Sequence, residues 1–156
     1  AGDRKVIAQL YNGVFIYRLN LQMDYARDLV GWNRAYGQNG KEGLWTFKPG
    51  QMMEARDFKP AIFDTILIAH PKTENYYLVS QDDKWGIYSV KGDSLVIPCE
   101  SEDYYPKDRD KHSGWIYFRK EGIWWGYFYT VPSLKYVMPT TQEKVEAWWR
   151  EEEGEG

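Results

Sequence analysis

The chain is poor in the residues on which most catalytic and metal chemistry depends. It has one cysteine, Cys99, and two histidines, His70 and His112, far apart in sequence. One cysteine excludes an internal disulfide and leans towards a reducing, cytoplasmic setting. Zinc sites want His, Cys or carboxylate clusters at short spacing, and no such cluster occurs. Cys99 precedes Glu100, Glu102 and Asp103, an acidic setting that disfavours the thiolate a nucleophile needs. It reads as inert, and the two histidines read as surface loop residues. No glycine loop of the phosphate-cradling kind is present, because the 14 glycines sit at turns. The acidic stretch from Glu100 to Asp103, with Asp108 and Asp110 beyond it, lacks calcium-loop spacing and is interleaved with Lys107, Arg109 and Lys111. No catalytic residue, metal or cofactor is expected.

Two further absences narrow the partners. With 20 basic and 23 acidic residues the net charge is −3, which lacks the basic footprint of a nucleic-acid binder. No apolar run approaches the ~20 residues of a membrane-spanning helix. The opening Ala1-Gly2-Asp3-Arg4-Lys5 lacks the plan of a signal peptide and reads equally as a mature N-terminus or a cloning remnant.

What the chain has in surplus is aromatic side chains, 17% of it, including 8 Trp and 13 Tyr. Such residues favour pleated surfaces and also binding surfaces. Four segments share a local plan of turn residues followed by an aromatic strand. They are Asn12 to Tyr17, Glu42 to Phe47, Asp82 to Tyr88 and Glu121 to Phe128. Their aligned aromatics Phe15, Trp45, Trp85 and Trp124 are spaced by 30, 40 and 39 residues. A proline recurs downstream as Pro60, Pro98 and Pro139, where it reads as the end of a short strand, since proline cannot donate to a ladder. Strand-like runs precede the aromatic strands at Val6 to Tyr11, Tyr76 to Gln81 and Trp115 to Lys120. The corresponding run Arg34 to Gly40 holds two glycines and reads poorly as a strand.

These features predict an all-β fold of about four mainly antiparallel hairpin units, as one domain over 1–150 with a flexible acidic tail over 151–156. Two helices interrupt the pattern. Leu21, Tyr25, Leu29 and Trp32 have helical spacing, which predicts a short helix near 20–35 capped by Asn20 and ended by Gly37. A C-terminal helix is predicted near 141–150, with Thr140 or Thr141 as cap and Val145, Trp148 and Trp149 as the buried stripe.

Two-residue turns at 12–13, 82–83 and 121–122 sort the faces, because opposed residues share one. Phe15 falls with Val6, Ala8, Leu10 and Tyr17. Trp85 falls with Leu78 and Ile87, and Trp124 with Tyr117 and Phe128. The phased aromatics are therefore expected in the core. The opposite faces carry Tyr77, Val79 and Tyr88 in the third hairpin. In the fourth they carry Ile116, Phe118, Trp125, Tyr127 and Tyr129. Those faces are too apolar to be simply solvated, so a helix, a neighbouring unit or a ligand covers them. Tyr77, Tyr88, Trp115, Trp125, Tyr127 and Tyr129 are the candidate binding residues.

Residues Asp83-Lys84-Trp85-Gly86-Ile87-Tyr88, followed by Gly92 and Leu95-Val96-Ile97-Pro98, resemble the bacterial Trp-Gly (WG) repeat. Trp125-Gly126-Tyr127-Phe128 with Tyr136-Val137-Met138-Pro139 is similar to it. Glu42 to Phe47 with Pro60 is a degenerate copy in which Thr46 replaces the glycine, and Asn12 to Tyr17 keeps only the turn and aromatics. The resemblance implies a non-enzymatic interaction module, names no particular ligand and supplies no catalytic residues. The repeats, the surplus of Tyr and Trp and the missing chemistry make protein binding the leading expectation. By analogy alone, an antitoxin-like or immunity-like role is a version of it. The alternative is carbohydrate binding on an exposed Trp/Tyr platform.

Overall fold

The structure, a computed structural model, describes residues 6–11, 14–17, 23–51, 54–107, 115–128 and 135–147. Among the described residues thirteen strands follow one another: β1 (Val6–Tyr11), β2 (Val14–Tyr17), β3 (Tyr25–Asp28), β4 (Asn33–Gln38), β5 (Lys41–Thr46), β6 (Thr65–Ile68), β7 (Tyr76–Gln81), β8 (Lys84–Ser89), β9 (Ser94–Ser101), β10 (Asp103–Tyr105), β11 (Trp115–Lys120), β12 (Ile123–Phe128) and β13 (Lys135–Thr140). They form sheets ordered β1-β2, β3-β4-β5, β6-β7-β8-β9 and β10-β11-β12-β13. Every described pairing is antiparallel. The expected all-β hairpin architecture is therefore what the chain adopts. It divides into two compact units, Ala1–Ile66 and Leu67–Gly156.

Tight turns set the hairpin registers. Asp82 and Asp83 have φ of 52° and 64°, and Glu121 and Gly122 have 55° and 78°. Positive φ at both central residues is the I′ turn that matches strand twist. Gln81 then pairs with Lys84, and Lys120 with Ile123, as the face assignment assumed. In the second hairpin the turn is Asn39–Gly40, at 53° and 78°, not the Glu42-Gly43 pair.

The helix predicted near 20–35 does not form in the described part of that span. Residues 25–28 are β3 and residues 33–38 belong to β4, joined through a turn with Gly31 at φ 63°. The apolar residues do not share a face: Leu29 is buried, while Tyr25 and Trp32 are about half exposed, at 48% and 52%. The run from Arg34, expected to be a poor strand, is β4. Its glycine is the reason it fits, since a side chain on Gly37 would collide with the Tyr25 ring lying across it.

The recurrent prolines do not end strands. Pro98 lies inside β9 and Pro139 inside β13, both at a sheet edge where the missing N–H is tolerated. Each sits in or beside a β-bulge. Trp85 pairs with Ser101 but Ile87 with Ile97, and Trp125 pairs with Pro139 but Tyr127 with Tyr136. Pro60 lies between two isolated bridges, Trp45 to Phe58 and Glu42 to Phe63. In two of the three cases a glycine of the middle strand packs on this backbone, whereas a Cβ on Gly126 would meet the Tyr117 ring instead. A Cβ on Gly86 would collide with the Ile97 carbonyl oxygen and stand 2.8 Å from that of Pro98. On Gly43 it would stand 2.6 Å from the Lys59 carbonyl oxygen.

In the first unit, Trp45 is fully buried, stacked on Phe58 at 5.3 Å and met edge-on by Phe47 at 5.9 Å. In the second, Leu78, Ile87 and Ile97 of one sheet pack with Ile116 and Phe118 of the other, and Trp85 is partly buried against them. The reverse face of the fourth hairpin buries Trp124 with Tyr105 and Val145. Phe15 falls in β2, whose side chains lie outside the described set. Val145 comes from the short C-terminal helix over 142–147, where the Lys144 amide donates to the Thr141 hydroxyl at 3.3 Å. This is the predicted helix and cap, while Trp148, Trp149 and the 151–156 tail lie outside the described residues. Among the described residues no helix is long and apolar enough to cross a membrane.

Candidate functional site

A cleft of about 360 Å³ opens in the second unit between β9 and the β11–β12 hairpin. One wall is Ile97, Pro98, Glu100 and Ser101 of β9. The other is Phe118, Lys120, Ile123, Trp125 and Tyr127, with Glu121 at the turn. Hairpin register explains the second wall. Lys120 faces Ile123, Phe118 faces Trp125, and Ile116 faces Tyr127, so successive pairs on one face run from a charged tip to an apolar interior.

The first wall depends on the bulge. Three residues, Pro98 to Glu100, separate Ile97 from Ser101 on β9, while Gly86 alone separates their partners on β8. That excess turns Pro98 and Glu100 outward, and both are exposed. Ile123 at the mouth is 49% exposed, and nearby on β9 Val96 is 43% exposed. Phe118 and Tyr127 meet edge to face at 6.1 Å and close the inner end.

An ion pair joins the two walls, with Lys120 Nζ 2.5 Å from Glu100 Oε2. Donation to the Glu100 carboxylate holds the Lys120 ammonium pKa above its ordinary value. Beside it Arg119 Nε reaches Glu102 Oε2 at 3.0 Å, and the Glu121 amide donates to Glu102 Oε1 at 2.8 Å. Asp103 is paired with Lys107. The acidic stretch is thus tied down by basic neighbours, and among the described residues no three His, Cys, Asp or Glu side chains gather as a metal site. Cys99 is partly buried, its Sγ 3.8 Å from the Val79 carbonyl oxygen. His70, expected at the surface, is instead buried, and its Nδ1 accepts the Lys72 amide at 3.1 Å within a turn. His112 lies outside the described residues. The cleft can hold an apolar group and present charge at its mouth.

The six predicted binding residues do not gather at one place. Trp125 and Tyr127 line the cleft. Trp115 pairs with Phe128 on the opposite face of the same hairpin, 5.0 Å from that ring and stacked on Tyr117 at 6.5 Å. Tyr77 is fully buried, and Tyr88 nearly so with its hydroxyl on Asp93, so neither offers a ring face to solvent. Tyr129 lies outside the described residues. Sequence reasoning missed Ile123 and Lys120, although the hairpin register that placed Trp125 places them too. It could not find Pro98 and Glu100, whose outward turn comes from the bulge.

The chain is thus an antiparallel hairpin-repeat protein with an aromatic-lined cleft in its second unit. Neither a protein family, nor a characterised protein, nor a solved structure matches it at a significant level.

Proposed function

We propose that this chain is a non-catalytic binding module of the Trp-Gly repeat kind, and that its second unit holds a segment of a partner protein in the β9/β11–β12 cleft. The observation that carries this reading is the wall of Trp125, Tyr127 and half-exposed Ile123 facing Pro98 across a concave, partly apolar space. Aromatic and apolar side chains in a cleft, ringed by polar groups, are the usual anatomy of an interaction site. The volume lies near the lower end of the ~300–1,000 Å³ range of ligand pockets, which suits one or two anchoring side chains. Glycan binding draws on the same aromatic pair. It is the weaker reading because the aliphatic surfaces of Ile123 and Pro98 in the cleft find partners in apolar side chains, not in sugar hydroxyls.

The test is selection of a random peptide library on the purified chain, alongside a glycan array, with Trp125→Ala and Ile123→Ser as controls. Ile123→Ser changes an exposed side chain and leaves the fold in place. The expected result is enriched peptides that lose binding in both variants. Peptides that bind the variants as well as the parent, or no enrichment at all, overturn the reading. Glycan binding lost in both variants replaces it with the carbohydrate reading.

A further inference from the structure

Granting the peptide-binding reading above, we infer that the cleft selects an extended segment in which a large apolar side chain is followed two positions away by lysine or arginine. The charges at the mouth argue for this. Two lining carboxylates, Glu100 and Glu121, share one lining cation, Lys120, and Lys120 is held at 2.5 Å by Glu100. The mouth therefore carries an excess negative charge, centred on Glu121 at the hairpin tip, and its electrostatic complement is a cation.

Position along the hairpin supplies the spacing. From tip to interior the cleft face runs Glu121, then Lys120 with Ile123, then Phe118 with Trp125. Three residues from Phe118 to Glu121 span roughly 10 Å at strand rise. An extended ligand puts alternate side chains on one face, about 7 Å apart. An anchor lodged against Phe118 and Trp125 thus places the side chain two residues on level with Lys120 and Ile123, about 3 Å short of Glu121, a gap that the long side chain of lysine or arginine spans to the Glu121 carboxylate.

The peptides enriched on the full chain supply the probes. The expected consensus is an apolar anchor with Lys or Arg two positions away. Affinity of the best peptide, read by fluorescence anisotropy, is expected to fall about threefold in Glu121→Gln and about tenfold in Glu121→Lys. The Glu121→Lys loss should shrink at high salt. Glu121 keeps its backbone bond to Glu102 in both variants, so the fold is retained. Peptides that depend on Trp125 and Ile123 but carry no basic residue, or that bind Glu121→Lys unchanged, overturn this specificity and leave the module reading standing. Selection of acidic peptides instead also overturns it and points to Lys120.

Discussion

Glu42 is the most constrained ionisable side chain described in the first unit. It is 8% exposed, and its carboxylate accepts Tyr25 Oη at 2.6 Å, Arg27 Nη2 at 2.7 Å and the Ile66 amide at 2.7 Å. Burial alone raises a carboxyl pKa. Here the hydrogen bonds from Arg27, Tyr25 and the Ile66 amide outweigh it and hold Glu42 below its usual range. A lowered native value means that protons bind the unfolded chain more readily. The stabilisation is therefore complete above the ordinary glutamate value of ~4.3 and is lost as pH falls through the native one. Glu42→Gln is expected to cost about 2 kcal/mol near neutrality, because it breaks a mostly buried pair whose arginine is partly solvated. Urea denaturation across pH 3–7 checks both points, since the variant should lose part of the parent's acid sensitivity.

The third hairpin is held in shape by Gly86 of its middle strand, which packs on the backbone of the proline-bearing bulge in β9. Gly86→Ala is expected to cost about 2 kcal/mol, because its Cβ would strike backbone that cannot swing away. Gly92→Ala is a contrasting case. Its Cβ would meet the Ser94 and Ser89 hydroxyls at 3.3 and 3.4 Å and the Ser89 Cβ at 3.7 Å, all side-chain atoms, so its cost should stay within about 0.5 kcal/mol. Equal losses in the two variants would refute the bulge account. In the turn, Asp83→Gly relieves a φ of 64° and should stabilise by about 0.5 kcal/mol. Urea midpoints at constant slope measure all three. The turns at Asp82-Asp83 and Glu121-Gly122 were legible in the sequence, whereas the Asn39-Gly40 turn was hidden behind the Glu42-Gly43 pair. The bulges were not legible. The missing N–H of proline is a local property that predicts a strand end, whereas the edge position that tolerates it is a property of the sheet. The same limit produced the spurious helix, since Tyr25, Leu29 and Trp32 have helical spacing but point to different environments.

For the chain as a whole, aromatic surplus served both faces of the hairpins. The fourth hairpin buries Phe118 on one side and Trp124 on the other. Alternation could show that both faces are apolar, but not which neighbour covers each. Tyr77 and Tyr88 therefore share Trp125's pattern in the sequence, although of the three Trp125 alone lines the cleft. The cleft's inner aromatic wall was legible, and its charged mouth was not, because Glu100 meets Lys120 only through the third strand of the preceding hairpin. The overall charge makes a separate prediction. With a pI near 5.5, the protein should be least soluble close to that pH, and turbidity against pH should peak there.

The prolines of β9 and β13 have one more effect. Each removes an amide from an outer strand that would otherwise offer an unbroken row of donors, and the adjoining bulge twists the row out of line. A second molecule trying to extend either sheet meets a gap and a bend where a ladder would continue. The device that shapes each unit thus also guards it against runaway polymerisation. A chain so rich in β-forming aromatics has particular need of that guard.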